Sequence, residues 1–322
     1  MSRKLSPNLL EKYIFNRIGI ADPSVILGPR YGEDAAIIDL DDKYLVIHTD
    51  PITGAVKNIG WLAVNIVSND IAVRGVKPRW ILLTILLPMH FSEKEIDIIT
   101  RQIDKAAREI GAMIIGGHTE FTIDIDRPII SATAIGIALD KRIVKTCGMR
   151  ENDYILMTKG AGLEGTSILA TDFEEKLLEK GVSEKVILNA KNFIREISVV
   201  REALLLARYV NSMHDPTEGG VLNGLAEMAY ASNMGIDLWL DKVLIRDETK
   251  IICEKLGINP LRLISSGTLL ASIPSENINK VCSILDRERI SYSIIGKVRR
   301  NKGIRIYRDG KIIQVLEGKY YT

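Results

Sequence analysis

Apolar and polar positions fall into two rhythms along this chain. Ser6-Pro7 reads as a helix cap and first helical position, with Leu9, Leu10, Tyr13, Ile14 and Ile18 at helical spacing and Gly19 as the stop. Val25 to Gly32 reads as loop. Ala35-Ala36-Ile37-Ile38 and Tyr44-Leu45-Val46-Ile47, separated by Asp41-Asp42-Lys43, predict a hairpin. A helix is expected from Ile59 to Arg74, closed by Gly75, with Asn65, Ser68 and Asn69 sharing one polar face. Trp80 to Leu87 is continuously apolar and predicts a buried strand. Ser92-Glu93-Lys94-Glu95 is a capping box for a helix to Ile110. Ala112 to Ile115 predicts a short strand that stops at Gly116-Gly117-His118-Thr119-Glu120, and Pro128 to Leu139 a long one.

The pattern breaks near Lys145 to Asn152, which divides the chain into two expected domains, 1–147 and 148–322. The second opens with a strand, Tyr154 to Lys159, and a glycine-rich turn, Gly160 to Gly165. Helices are expected between about Phe173 and Tyr209, and a polar turn from Met213 to Gly220 leads into a helix through Tyr230. Strands follow at Ile236 to Leu240 and Thr268 to Ile273, then a helix at Asn277 to Arg287. Strands at Ser291 to Val298, Ile304 to Arg308 and Ile312 to Leu316 complete the pattern. The fold class is therefore α/β, of the α+β type, in two domains.

Composition narrows the partners. The 322 residues are 46% hydrophobic and 26% charged, enough apolar mass for sizeable cores. A formal charge of +2 gives no electrostatic reason to expect nucleic acid or a membrane surface as partner. No apolar run reaches the roughly 18 residues of a membrane span, and Met1 to Pro7 lacks the apolar core of a signal peptide. Cys147, Cys253 and Cys282 are isolated and odd in number, which points to a reducing, cytoplasmic setting.

The candidate chemistry is acidic. Asp34 precedes the first hairpin strand and Asp50 ends the second, so antiparallel pairing brings them to one side of the sheet. Asp70 lies in the helical pattern that follows. Carboxylates placed this way supply the few hard oxygen ligands of a divalent cation that is completed by water and phosphate oxygens. Gly160-Ala161-Gly162-Leu163-Glu164-Gly165 matches a dinucleotide fingerprint, but the residues about 20 positions on, Lys176 to Gly181, are helical rather than a strand ending in an acid. The run is read as a tight turn or as a loop near another phosphate site. His48, His118 and His214 have no metal-ligand spacing and are read as hydrogen-bonded structural residues.

Gly32-Glu33-Asp34-Ala35-Ala36, Thr49-Asp50, Asn65, Asn69-Asp70, Gly75 and Lys77-Pro78 together resemble the signature of the aminoimidazole ribonucleotide synthetase (PurM-like) superfamily. Gly116-Gly117-His118-Thr119-Glu120 and Asp215-Pro216-Thr217-Glu218-Gly219-Gly220 extend the likeness along the chain, and the hydrogenase-maturation branch, HypE, is the most similar in pattern. The resemblance implies two PurM-like domains, an ATP and Mg2+ cleft largely on the first, and a homodimer whose first-domain sheets join. It implies nucleotide binding by Gly32, Glu33, Asp34, Asp50, Asn65, Asn69, Asp70, Gly116 and Gly117, Mg2+ on Asp34, Asp50 and Asp70, and catalysis by His118, Glu120 and Asp215. Members use ATP to activate an oxygen as a leaving group or to phosphorylate an acceptor. HypE-type enzymes dehydrate a carboxamide carried on a C-terminal cysteine, whereas this chain ends Gly318-Lys319-Tyr320-Tyr321-Thr322 and has His118 and Glu120 where HypE has Asp and Lys. The expected function is a HypE-like Mg-ATP-dependent reaction on an acceptor the sequence does not identify. A kinase of the thiamine-monophosphate type and a nucleotide-binding scaffold are the alternatives.

Overall fold

The computed structural model describes residues 6–317, so the readings made on Met1 to Leu5 and on the Gly318 to Thr322 tail lie outside the described residues. The structure is mixed α/β with two sheets. The first half gives β1 (Val25–Leu27), β2 (Ala36–Asp39), β3 (Tyr44–Ile52), β4 (Pro78–Pro88), β5 (Met113–Thr122) and β6 (Ile129–Ala138), in the spatial order β1-β2-β3-β6-β4-β5. Only the β4–β5 pair is parallel. The second half gives β7 (Tyr154–Thr158), β8 (Ser212–His214), β9 (Gly235–Trp239), β10 (Leu270–Ile273), β11 (Tyr292–Arg299), β12 (Gly303–Arg308) and β13 (Lys311–Leu316). They order as β13-β12-β9-β11-β7-β10-β8, with β9–β12 the parallel pair.

The expected hairpin is β2–β3, in register Ala36↔Ile47 through Asp39↔Tyr44. The helix Glu93–Ile110 starts as its capping box requires: the Ser92 amide donates to Glu95 Oε2 at 2.7 Å, and Gly111 closes it at φ +76°. The helix Ile59–Ala72 differs from an ordinary amphipathic helix, since every residue but Trp61 is buried. It lies on β3 and β6 and meets the second half on its other side, touching the helix Val200–Leu206. Ala72 and Val73 share a core with Val200, Leu206 and Met213, so apolar packing runs across the joint between the halves.

Several expectations are corrected, and among them the polar turn expected from Met213 begins as the strand β8, which runs through His214. The N-terminal helix is short, Pro7–Leu10, and continues as a π-helical turn over Glu11–Phe15. Part of the expected loop 25–32 is β1. The short strand before Gly116 does not stop there: β5 runs through Gly116-Gly117-His118-Thr119-Glu120 to Thr122. A glycine pair normally weakens a strand, but here sheet packing requires one. A Cβ on Gly117 would stand 1.8 Å from the Leu83 carbonyl oxygen of the neighbouring β4.

Trp80 to Leu87 is a strand but not a fully buried one. Ile81, Leu83, Ile85 and Leu87 face the helices and are buried, while Leu82 on the other face is 36% exposed. The helices cover one face of the first sheet. Along the edge strand β5, Met113, Ile115 and Phe121 are exposed.

Candidate functional site

A cleft of about 680 Å3 opens where the β2–β3 hairpin meets the second half. Its floor carries Gly32, Glu33, Asp34, Asp50 and Asp70, and Asp215 and His214 border it from the other half. Of the expected site residues, the structure gathers Gly32, Glu33, Asp34, Asp50, Asp70 and Asp215 here, and His214, read from the sequence as structural, joins them. Gly32 adopts φ +85°, and a Cβ there would approach the Glu227 carbonyl oxygen to 3.0 Å, so the turn that begins the motif needs glycine for both reasons.

Strand geometry explains a corner that could hold a cation. Alternate residues of β3 share a face, so His48 and Asp50 both point to the side covered by the helix Ile59–Ala72, from whose last turn Asp70 projects. Donor atoms of His48, Asp50 and Asp70 all lie within 4.8 Å of one another, and His48 Nε2 is 3.3 Å from Asp70 Oδ2. Adjacent ligands of an octahedral ion at about 2.1 Å are separated by roughly 3 Å, so this set fits a divalent cation after a small contraction. Two carboxylates and a neutral imidazole also balance a charge of +2. The residue that sequence reasoning missed is His48. The signal was present as a His-x-Asp pair on a strand that ends at the acidic cluster.

Asp34 borders the same cleft but is held differently. Its carboxylate receives the Arg74 guanidinium at 2.5 Å and sits 2.8 Å from His214 Nδ1, while His214 Nε2 is 2.9 Å from Glu227. Arg74 is fully buried, also binds Glu33 at 2.8 Å, and donates to Thr146 Oγ1 and the Met213 carbonyl oxygen. Burial pushes the Asp34 carboxyl up, but the His214 and Arg74 charges pull it down to about 2. Burial likewise opposes the His214 cation, yet the Asp34 and Glu227 carboxylates raise its pKa to about 10. Asp34, Arg74 and His214 therefore form a charged network that is closed on itself.

Asp215 has no such compensation. It is 2% exposed; Oδ2 accepts from Asn69 Nδ2 at 2.9 Å, and Oδ1 has no hydrogen-bond partner. Burial pushes its pKa up to about 8, and the Asn69 hydrogen bond and His214 charge only partly oppose this. Glu164, in the first turn of the helix Leu163–Asp172, is also buried, and its Oε2 is unpartnered. Burial, with the Asp50 and Glu218 charges added, moves it to about 7. The glycine run around it is a packing feature: a Cβ on Gly165 would come within 2.4 Å of Leu263.

Several expected ligands sit elsewhere. Asn69 Nδ2 also donates to the Ile197 carbonyl, and its Oδ1 accepts from the Val199 amide at 2.8 Å, so this side chain ties the two halves together. Asn65 Nδ2 is bonded within its own helix to the Trp61 carbonyl oxygen. The polar helix face is thus spent on packing and on the joint. Glu33 accepts from the Thr146 and Cys147 amides as well as pairing with Arg74. Gly116, Gly117, His118 and Glu120 lie on β5, separated from β3 by β4 and β6. Three strand spacings of about 4.8 Å put His118 and Glu120 roughly 14 Å from the cleft strand, beyond direct reach within one protomer. They pair instead with each other at 3.2 Å on the exposed surface.

Residues 32–138 match the AIR synthase related protein N-terminal domain and residues 150–309 the corresponding C-terminal domain. A hydrogenase expression/formation protein of Methanocaldococcus jannaschii is 30% identical, covering 98% of this chain and 92% of its own length. Carbamoyl dehydratase HypE of Bradyrhizobium diazoefficiens is 27% identical over 79% of this chain and 73% of the relative. Among solved structures, the thiamine monophosphate kinase of Aquifex aeolicus, complexed with AMPPCP and TMP, superposes with a TM-score of 0.72. It is 22% identical and covers 88% of this chain and 89% of that one, a likeness of fold. No helix among the described residues is long and apolar enough to cross a membrane.

Proposed function

The chain belongs to the AIR synthase related family, and from that premise we propose that it is a HypE-like enzyme that uses ATP with a divalent cation to activate or phosphorylate an oxygen of its acceptor. One observation carries the reading: His48, Asp50 and Asp70 converge within 4.8 Å in a cleft that Asp215 borders from the other half. A cation held by that set would lie near a buried carboxyl group, the two ingredients that ATP-driven activation of an oxygen needs. A bound cation supplies charge neutralisation for the nucleotide phosphates.

The chain's own residues divide the remaining work. Asp50 and Asp70 hold the cation. Asp34 acts from behind them, fixing the hairpin entry through Arg74 and His214 rather than ligating directly. The Gly32 turn lets backbone approach the nucleotide. Asp215, neutral at pH 7, holds a proton that it can deliver to the oxygen of a leaving group. The bare face and exposed edge of the first sheet support a homodimer, in which His118 and Glu120 lie against the partner subunit. Three free cysteines fit a reducing compartment, so the cytosol is the proposed location.

Thermal unfolding with and without Mg-ATP tests the nucleotide site. Ligand at about 100 times its dissociation constant should stabilise the fold by roughly 2.7 kcal/mol, and Asp70→Asn should remove the cation-dependent part. No shift at millimolar nucleotide would remove both the enzyme and the nucleotide-binding scaffold. Product analysis then separates the chemistries: ADP with inorganic phosphate follows from dehydration through a phosphorylated oxygen, ADP with a phosphorylated acceptor from a kinase.

A further inference from the structure

We infer that the cation site of the cleft is a mixed nitrogen–oxygen site, with His48 Nε2 as a direct ligand beside Asp50 and Asp70, and that it selects a transition ion such as Co2+ or Zn2+ over Mg2+. The inference deepens the proposed function and rests on it for the cleft being the nucleotide site. The sequence pattern alone points to an all-oxygen site of three aspartates. The structure breaks that set, because Asp34 is spent on Arg74 and His214. The position it leaves is taken by an imidazole. His48 stands two residues before Asp50 on β3, on the same face, with Nε2 3.3 Å from Asp70 Oδ2.

Ligand type decides the ion. Mg2+ is a hard cation that prefers oxygen ligands and sheds water reluctantly, whereas imidazole nitrogen favours the later first-row ions and zinc. Asp215 adds an independent sign. Its Oδ1 is buried at the border of the same cleft with no hydrogen-bond partner, as expected of a polar atom kept for a ligand that the cleft holds. The competing account of the 3.3 Å contact is an ion pair, His48 protonated against Asp70. An ion pair would repel a cation, and a ligand would attract one, so the two are separable.

The test uses the full chain without nucleotide, titrated calorimetrically with Co2+ and separately with Mg2+. The wild type should bind one Co2+ more tightly than Mg2+. His48→Gln should lower the Co2+-to-Mg2+ affinity ratio by about tenfold or more, since a lost direct ligand costs at least as much as a lost supporting contact. Asp50→Asn should weaken both ions and leave the ratio near that of the wild type. Pulsed electron paramagnetic resonance of bound Mn2+ should show coupling to a histidine nitrogen, lost in His48→Gln. An unchanged ratio together with no nitrogen coupling overturns the inference and leaves the ion pair. A magnesium-dependent thermal shift with ATP under those same conditions would show that the nucleotide site stands without it. Absence of both metal binding and nucleotide shift would sink the proposed function as well. Circular dichroism melts of each variant establish that the fold persists.

Discussion

Asp34 and Asp215 border one cleft from opposite halves of the molecule, at 8% and 2% exposure, yet they end in opposite states. Burial penalises both. Asp34 meets two cations and stays ionised, near pKa 2; Asp215 meets an amide and the charge of His214, and near pKa 8 it is protonated at neutral pH. Depth therefore does not fix the protonation of a buried carboxyl group. The partner does. One wall of the cleft is locked electrostatically, and the other keeps an acid with a buried oxygen that has no hydrogen-bond partner.

The comparison breaks most sharply at Arg74. Removing the guanidinium leaves the Glu33 side chain buried without a cation and Asp34 with His214 alone, so Arg74→Ala should destabilise by about 3–5 kcal/mol in urea unfolding. Restoring neutrality with Glu33→Gln and Asp34→Asn in the same chain should recover part of the loss. A cost below about 1 kcal/mol for the single variant would mean that the pair is not the lock described here.

The hairpin, the capping box at Ser92 and Glu95, and the second-half strands other than β8 were legible in the sequence because alternation and capping are local properties. Sequence reasoning also named Asp34, Asp50, Asp70 and Asp215, which the structure gathers at one cleft. It failed where a residue's partner lies far along the chain. Asn69 reads as a ligand on a polar helix face, but its carboxamide is claimed by Ile197, Val199 and Asp215, about 130 residues and more away. Arg74 reads as an ordinary basic residue at a helix end and is instead fully buried among acids. The β5 strand was cut short because it lies at an edge with both faces mostly exposed, so no burial alternation marks its passage through the glycines.

Asp215→Asn sharpens the contrast with a change of sign. The raised pKa of Asp215 means that its contribution to stability is fully present below about pH 3.8 and is lost as pH rises through about 8. An asparagine at this position cannot ionise and still offers Asn69 an oxygen acceptor. The variant should therefore match the wild type near pH 4 and be more stable by about 1–3 kcal/mol at pH 9. Asp34 has the opposite dependence: its contribution is present above about pH 3.8 and lost as pH falls through about 2, so Asp34→Asn should destabilise at neutral pH. Chemical denaturation of both variants at several pH values reads the pair. Equal signs at pH 9 would collapse the distinction between the two walls.

Glu164→Gln should give the smallest effect and the finest test of the open wall. Glu164 shares the unpartnered oxygen of Asp215 but opens a helix, where the N-terminal peptide dipoles favour its charge. Burial raises its pKa to about 7, and the Ser266 hydroxyl is what opposes the rise. Its contribution is present below about pH 4.5 and is lost as pH rises through about 7. At pH 5 glutamine replaces a largely neutral acid of the same shape, and the two chains should melt together. At pH 8 the wild type carries a buried charge that the variant lacks, so the variant should gain, by no more than about 1 kcal/mol. Because Asp50 is among the charges that raise Glu164, binding of a divalent cation near Asp50 should lower its pKa and shrink the gain. A gain unaffected by saturating cation would place the ion away from Asp50, and a loss of stability at pH 8 would mean that Glu164 is paired in a way the open wall does not allow.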